Sequence, residues 1–188
     1  MTGIVLYGPP ASGKTTITTA LTAIDRRFTL LRKLKAGNRR GSEYEFTTPA
    51  HLAELRTAGR LVAETHRYGN TYAIDRHQIA ALTDSGKVPV VHMGNIPDTR
   101  RLIDGGAWLT VLLWISREEC ERRSISRGDP DTAGRLHAWD ETLADLNTHG
   151  HEALNLHIST EDVTPDEAAE QISKAYQEAR AMNLTQEL

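Results

Sequence analysis

Eight consecutive residues, Gly8 to Thr15, have the types and spacing that bind phosphate. They read GPPASGKT and match the pattern G-x-x-x-x-G-K-[ST], the P-loop. Glycines let backbone N–H groups surround an anion, and the positive end of the following helix adds to the attraction. The pattern predicts that Lys14 contacts the β- and γ-phosphates of a nucleoside triphosphate and that the Thr15 hydroxyl binds Mg²⁺. The predicted nucleotide-binding residues are Gly8, Ala11, Ser12, Gly13, Lys14, Thr15 and Thr16.

The residues around this motif predict the strand–loop–helix unit in which it works. Residues 3–7 are apolar and rich in β-formers, and residues 16–24 carry apolar side chains at helical spacing. Strand-like and helix-like segments alternate further along, and the most apolar run, residues 108–115, is typical of a strand inside a sheet. This alternation predicts an α/β fold, a parallel sheet flanked by helices. Residues 32–74 break the alternation and indicate an inserted, partly antiparallel unit.

The composition limits the class of protein. The chain has 188 residues, 39% of them hydrophobic and 25% charged, with a net charge of −3, which fits one globular domain without a global basic field. The single cysteine, Cys120, excludes an internal disulfide and suits a reducing compartment. No apolar run approaches the roughly 18 residues of a membrane span, and the first strand leaves no room for a signal peptide. We expect a cytoplasmic protein without nucleic-acid or membrane partners. The oligomeric state stays open, a homodimer included.

Two further segments of the chain carry groups of cations. Residues 32–40 carry five cations, and residues 42–47 then alternate like an edge strand. A charged loop contains Arg127, and Arg135 stands in the helix that follows. Phosphoryl transfer depends on positioned cations more than on covalent chemistry. Both groups are therefore candidates for contacts with phosphate.

In combination, these segments resemble the guanylate kinase family of P-loop kinases over about the first 150 positions. The family's insertion pattern, T-R-x-P-R-x-G-E-x-x-G-x-x-Y-x-F, has the same spacing as residues 31–46 without gaps. Residues 69–72 (GNTY) are similar to the family's G-N-Y-Y-G turn, and Arg127 with Arg135 resembles its lid arginines. The resemblance implies one kinase domain with a core (1–31, 75–126 and 147–188), an acceptor-binding insertion (32–74) and a mobile lid (127–146).

The resemblance also implies roles for individual residues. ATP with Mg²⁺ would be the phosphate donor, and Lys14, Arg127 and Arg135 would be catalytic, neutralising the transferring phosphoryl group. A phosphate on the acceptor molecule would bind to four residues of the insertion: Arg32, Lys35, Tyr44 and Tyr72. The expected partner is therefore a small phosphorylated acceptor.

The positions that read guanine in the family are changed in this chain. The carboxylate of the family's guanine-reading strand falls on Ala63, and Glu64 would replace it only across a β-bulge. The family's D-x-D falls on His92 and Gly94, and its serine or threonine after the G-N turn falls on Ile74. Losing these carboxylates would leave the polar groups of guanine unpaired, so GMP is not the expected acceptor. His66 and His92 are candidates to contact the group that replaces guanine.

These observations predict an ATP-dependent kinase whose acceptor is a nucleoside monophosphate with a non-guanine or modified base. A sugar-phosphate kinase similar to the ribose 1,5-bisphosphate kinases, and a kinase of a free hydroxyl on an antibiotic-like metabolite, remain alternatives. A catalytically inactive, scaffold-like domain is the alternative from a different class, and the intact Lys14 and Thr15 speak against it. Asp75 and Asp98 are both candidates for a general base, and the sequence does not choose between them.

Overall fold

A computed structural model describes residues 2–67 and 69–186. Most elements lie within a few residues of their predicted positions. In chain order, the strands and helices are β1 (Gly3–Tyr7), α1 (Lys14–Ile24), β2 (Phe28–Leu30), β3 (Lys33–Ala36), β4 (Tyr44–Thr47), α2 (Pro49–Thr57), β5 (Leu61–Arg67), β6 (Asn70–Asp75), α3 (Arg76–Asp84), β7 (Val88–Met93), α4 (Ile96–Ile103), β8 (Trp108–Trp114), α5 (Arg117–Ser126), α6 (Thr132–His149), β9 (Leu156–Ser159) and α7 (Pro165–Gln186).

The main sheet has five parallel strands in the order β2-β7-β1-β8-β9. All five residues of β1 are buried, because β1 is the middle strand and both faces of the sheet are covered. The apolar strand β8 lies inside the sheet between β1 and β9, as its sequence predicts. The carboxyl ends of β1 and β7 lie side by side, with Tyr7 opposite Met93. This edge is where the P-loop begins.

Helices cover both faces of the main sheet and bury two apolar clusters. On one face, Ile17 and Leu21 of α1 and Ile172 of α7 pack against Ile4 and Val111. On the other face, side chains from α3, α4 and α6 pack against the opposite sides of β1, β7 and β8. The predicted α/β fold with a flanked parallel sheet is confirmed.

The segment that breaks the alternation forms a second, four-stranded sheet in the order β4-β3-β6-β5. Strand β3 pairs parallel with β4 and antiparallel with β6, and β5 pairs antiparallel with β6. Leu52 and Leu55 of α2 pack against Leu34 and Ala73 of this sheet, so it has a small apolar core of its own. We call this unit, β3 to β6 with α2, the insertion.

Helix α6 is attached firmly to the core. The Tyr7 hydroxyl donates a 2.8 Å hydrogen bond to Asp145, which also accepts one of 2.8 Å from the backbone N–H of Ile96. Trp139 Nε1 donates to the Ile115 carbonyl at 3.0 Å. The loop 127–131 and the first turn of α6 carry the predicted lid arginines. The predicted lid, residues 127–146, therefore includes anchored residues of α6. From here on, the lid means its first part, residues 127–135, and its mobility stays a prediction.

Asp75 has a structural role, although the sequence made it a candidate base. Its carboxylate caps α3 by accepting from the backbone N–H of His77 at 3.0 Å, and it forms an ion pair with Arg60. Neither Asp75 nor Arg60 lines the cleft described below. Helix α4 is capped in a similar way by Asn95.

Replacing Asp75 by alanine should lower the free energy of unfolding by about 2–4 kcal/mol, because a cap and a buried partner of Arg60 are lost together. Asp75→Asn should lower it less, since the amide oxygen still caps the helix. Urea unfolding of both variants measures the difference. Equal losses in the two variants would show that the cap contributes nothing.

Within the part of the chain that the structure describes, no helix is both long and apolar enough to cross a lipid bilayer.

Candidate active site

A cleft of about 530 Å³ opens at the carboxyl edge of the main sheet. The P-loop and the start of α1 line one end of it, the insertion lines the other, and the lid closes one side. All seven predicted nucleotide-binding residues line this cleft. Its place at the carboxyl ends of parallel strands is typical of ligand sites in α/β proteins.

The P-loop backbone has the conformation that its glycines make accessible. Gly13, at the start of α1, has φ +90°, which favours a residue without a Cβ. A Cβ on Gly8 would lie 2.1 Å from the Leu113 carbonyl oxygen, so only glycine fits between β1 and β8. Ala11 also has a positive φ, +59°, which is uncommon for a residue with a side chain. The loop therefore presents its N–H groups at the positive end of α1.

Lys14 is folded back over the loop. Its Nζ donates to the carbonyl oxygens of Gly8 at 2.6 Å and Pro9 at 2.8 Å. Burial, followed by the charges of Lys33 and Arg135, lowers the pKa of Lys14 to about 7. A bound anion beside Lys14 would raise the pKa of Lys14 again, because it favours the charged amine. The geometry thus places a cation where polyphosphate would stabilise its charge.

Two residues that the sequence did not single out hold the P-loop in place. Arg123 of α5 donates from Nη1 to the Ala11 carbonyl at 3.1 Å and from Nη2 to the Thr160 carbonyl at 2.6 Å. The Thr160 hydroxyl lies 3.2 Å from the carbonyl oxygen of Ser12. The two contacts to the P-loop join residues more than 100 positions apart, so no local sequence pattern could reveal them.

The predicted acceptor-binding residues divide into two groups. Tyr44, Tyr72 and His92 line the cleft, and the rings of the two tyrosines lie 5.1 Å apart. Arg32 and His66 are exposed and do not line it. Arg32 directly precedes the cleft residue Lys33, and His66 lies between the cleft residues Thr65 and Arg67 on β5. Because neighbouring residues of an extended chain point to opposite sides, Arg32 and His66 point away from the cleft.

Lys35 is buried and supports the insertion from within, away from the cleft lining. Its Nζ donates to Asn38 at 2.8 Å and to the Arg40 carbonyl at 2.7 Å, and lies 4.9 Å from the centre of the Tyr44 ring. Lys35 therefore holds the loop 37–41 and packs beneath the tyrosines. The assignment of Arg32 and Lys35 to the acceptor's phosphate finds no support in this geometry.

Two other cations of the insertion line the cleft. Lys33 stands at the start of β3, and burial lowers its pKa to about 8. Arg67 stands at the end of β5 and forms an ion pair with Glu141 of α6. Lys33 and Arg67 both contribute to the positive charge that acts on Lys14. The insertion side of the cleft thus carries two cations, which are not the residues that the resemblance implied.

The cleft wall that would contact a guanine base is apolar. Ala63 and Ile74 line the cleft and are buried together with Leu31 and Met93. A register irregularity does occur in β5, between Leu61 and Ala63, but Ala63 still faces the cleft. Glu64 faces away and forms an ion pair with Arg56, so it does not replace the missing carboxylate.

His92, at the end of β7, lies where the two ends of the cleft meet. Its Nε2 is 2.8 Å from the Thr18 hydroxyl of α1. Burial, followed by the charges of Lys14 and Lys33, lowers the pKa of His92 to about 3. The ring is therefore neutral at ordinary pH.

The depressed pKa of His92 predicts an acid-labile contribution to stability. The unfolded chain binds a proton on His92 near the ordinary pKa of 6.5, and the folded chain only near 3. The free energy of unfolding is therefore not lowered by this group above pH 6.5, and it decreases as the pH falls from 6.5 toward 3. The loss is at most about 1.4 kcal/mol per pH unit.

We expect His92→Gln to flatten this part of the pH dependence. Urea unfolding at about pH 7 and about pH 4.5 measures it, with His66→Gln, at an exposed histidine, as the matched control. A slope for His92→Gln equal to that of wild type and control would contradict the assignment.

The lid brings both predicted arginines to the cleft. Arg127 and Arg135 line it, and Arg135 donates to Asp129 at 3.1 Å. Asp129 is largely buried and orients Arg135. Asp131 caps α6.

The protein offers few ligands for a metal ion. Thr15 lines the cleft in the first turn of α1, and His92 and Gly94 occupy the end of β7 in place of carboxylates. Residues 2–67 and 69–186 contain no cluster of three or more His, Cys, Asp or Glu side chains suited to a metal. Mg²⁺ commonly keeps several water ligands and binds substrate phosphates. Thr15 therefore fits an Mg²⁺ held mainly by nucleotide phosphates and water.

Neither candidate general base lines the cleft. Asp98 is buried and bonded to three neighbours: it accepts from Thr65 and from Asn95 Nδ2, and pairs with Arg101. Asp75 is engaged by Arg60, as described above. Both carboxylates act in the packing of the insertion and its neighbouring helices.

The fold matches two solved kinases at low sequence identity. Guanylate kinase from Anaplasma phagocytophilum superposes with a TM-score of 0.66 and 20% identity, over 96% of this chain and 85% of that chain. Shikimate kinase from Acinetobacter baumannii, in complex with shikimate, gives a TM-score of 0.51 and 16% identity, over 95% and 94% of the two chains. No protein-family model and no curated protein sequence matches. The chain therefore has the fold that guanylate kinase and shikimate kinase share, a P-loop kinase fold.

Proposed function

We propose that this protein transfers the γ-phosphate of ATP to a small acceptor that already carries a phosphate. One observation carries the proposal: a single cleft has a P-loop with Lys14 at one end and Lys33, Arg67 and two tyrosines at the other. Each end suits an anion, and the volume of about 530 Å³ is in the range of small-molecule sites.

At the nucleotide end, the loop N–H groups and the start of α1 bind the phosphates of ATP. Lys14 exchanges its carbonyl partners, Gly8 and Pro9, for phosphate oxygens. Thr15 holds Mg²⁺, which neutralises charge on the transferring phosphoryl group when it is bound. Arg127 and Arg135 spread the remaining charge from the lid side. No general base is needed when the nucleophile is a phosphate oxygen, which fits a cleft without Asp75 or Asp98.

At the acceptor end, Lys33 and Arg67 bind the acceptor's phosphate, with Tyr44 and Tyr72 beside it. The rest of the acceptor lies against the apolar wall of Ala63 and Ile74. Such a wall disfavours guanine, whose polar groups would lose their hydrogen bonds there. A nucleoside monophosphate with a non-guanine or modified base is the first candidate, and a sugar phosphate is the second because it has no base to read.

A hydroxyl acceptor is a further candidate on one specific observation. Arg32 and Lys35, the phosphate-binding pair implied by the sequence, lie outside the cleft lining, while the neutral ring of His92 lies in it. A free hydroxyl would find a hydrogen-bond acceptor there. This arrangement would suit a metabolite without a phosphate, held by Lys33 and Arg67 through another anionic group.

The experiment is ADP release from ATP and Mg²⁺ across a set of acceptors, with hydrolysis without an acceptor as the baseline. The set contains GMP, AMP, CMP, UMP, their deoxy forms, hydroxymethylated CMP, ribose 1-phosphate-type sugar phosphates and shikimate. We expect a non-guanine nucleotide to raise ADP release well above the baseline. Stimulation by a sugar phosphate or a hydroxy acid alone would move the proposal to the corresponding alternative. Tight ATP binding without stimulation by any compound would refute the kinase assignment for these classes.

A further inference from the structure

The hydrogen bonds around Thr18 determine where His92 carries its proton. The Thr18 hydroxyl has a single hydrogen and lies 2.8 Å from the backbone carbonyl oxygen of Lys14, one turn earlier in α1. A carbonyl oxygen can only accept, so the Thr18 hydrogen points to it. The same hydroxyl lies 2.8 Å from His92 Nε2 and must accept there. His92 therefore carries its hydrogen on Nε2.

This tautomer leaves His92 Nδ1 with a lone pair. The neutral ring has one donor and one acceptor nitrogen, and Nε2 is the donor. Among the described residues, Nδ1 has no hydrogen-bond partner, and the ring lines the cleft. Lys14 from the nucleotide side and Lys33 from the acceptor side are the charged groups that act on this ring. Both are cations and oppose a second proton.

Nδ1 differs from the charged side chains of the cleft because it accepts a hydrogen bond without carrying a charge. The cations that line the cleft are donors only, namely Lys14, Lys33, Arg67, Arg127 and Arg135. The carboxylates that line the cleft, Glu43, Asp129 and Asp131, belong to the insertion and the lid. At the carboxyl edge of β7, therefore, His92 can accept a hydrogen bond without adding a negative charge beside the phosphates.

We propose that His92 Nδ1 accepts a hydrogen bond from a hydroxyl or amino group of the acceptor. This inference rests on the proposed function and deepens it: the acceptor is an anion that also carries an O–H or N–H donor facing the end of β7. A molecule presenting a carbonyl oxygen there would meet the lone pair of Nδ1 and would be rejected. Thr18 acts as a positioning residue, because its hydroxyl fixes the tautomer.

Two amide variants separate the two ring nitrogens. In His92→Gln, the amide NH₂ can take the place of Nε2 and donate to Thr18, while the acceptor at Nδ1 is lost. In His92→Asn, the amide oxygen can take the place of Nδ1, while the bond to Thr18 is lost. For the best acceptor of the set above, we expect KM to rise about tenfold or more in the glutamine variant and clearly less in the asparagine variant. The KM for ATP should stay within about twofold in both.

A reversed order, with glutamine the milder change, would show that the bond to Thr18 is what matters and would overturn the proposal. Equal KM values for wild type and the glutamine variant would overturn it as well. An acceptor analogue without its O–H or N–H group provides the chemical counterpart. Its KM should be raised in the wild type and insensitive to His92→Gln.

The tautomer can be measured without any turnover. Nitrogen-15 NMR of the histidine rings in the wild-type protein, with His92→Gln to assign the signal, reports which nitrogen carries the hydrogen. We expect a neutral ring protonated on Nε2. A ring protonated on Nδ1 would overturn the inference even if the kinase activity is found. If no compound of the acceptor set stimulates ADP release, the proposed function is refuted, and the NMR measurement alone then tests the tautomer of His92.

Discussion

Replacing Lys14 by alanine should reduce phosphoryl transfer by a factor on the order of 10² to 10³. The Nζ of Lys14 is buried among loop carbonyls and lies near Lys33 and Arg135, so it is placed to gain most when phosphate charge arrives. Its contribution should be largest in the transition state, when charge moves from the γ-phosphate toward the leaving oxygen. Steady-state ADP release at saturating ATP and acceptor measures the change in kcat.

The control for this variant is Lys87→Ala. Lys87 is a partly exposed lysine whose Nζ donates to the Arg26 carbonyl and which does not line the cleft. It should keep wild-type kcat. Thermal unfolding of Lys14→Ala establishes that the variant is folded. A folded Lys14→Ala protein with normal turnover would refute the nucleotide site proposed here.

Lys33→Ala and Lys35→Ala should have opposite consequences, although the two lysines are two residues apart on one strand. Lys33 lines the cleft, so its loss removes a charge-assisted hydrogen bond to the acceptor. Such bonds contribute about 1.5–3 kcal/mol, which corresponds to roughly a 10- to 100-fold rise in the acceptor KM. The stability of this variant should change little, because Lys33 has no hydrogen-bond partner to lose among the described residues.

Lys35→Ala should instead destabilise the insertion. Its Nζ holds Asn38 and the Arg40 carbonyl and packs against Tyr44, so its loss leaves a cavity and unpaired acceptors. We expect a loss of roughly 1–3 kcal/mol in the free energy of unfolding. Acceptor KM and thermal midpoint, measured on both variants, form the test. A rise in KM without destabilisation for Lys35→Ala, together with an unchanged Lys33→Ala, would restore the assignment implied by the family spacing.

The P-loop could be predicted from the sequence because its chemistry is local. Phosphate binding, the turn at Gly13 and the helix that begins at Lys14 all follow from one short stretch. The parallel sheet was equally accessible, since its strands are continuous apolar runs such as β8. The insertion was recognised as a unit for the complementary reason, namely its break in the alternation of strands and helices.

The contacts of each insertion residue could not be predicted. The resemblance implied that Arg32 and Lys35 bind the acceptor's phosphate, whereas Lys33 and Arg67 line the cleft. Lys35 lies on the same face of β3 as Lys33, but it is buried by contacts within the folded insertion, which the spacing of residues along the sequence does not reveal. The same holds for His92. The sequence predicts a histidine at the end of β7, but the tautomer of this histidine depends on Thr18, 74 positions away.

The most direct measurement of the central claim is phosphorus-31 NMR of a reaction that contains ATP, Mg²⁺ and the best acceptor. The account predicts that the γ-phosphate signal of ATP disappears while ADP and one new phosphorylated product appear in equal amounts. A phosphoanhydride product would identify a phosphate as the nucleophile, and a phosphomonoester would identify a hydroxyl. Inorganic phosphate as the only product besides ADP would mean transfer to water, and would contradict the claim that the insertion end of the cleft binds the phosphoryl acceptor.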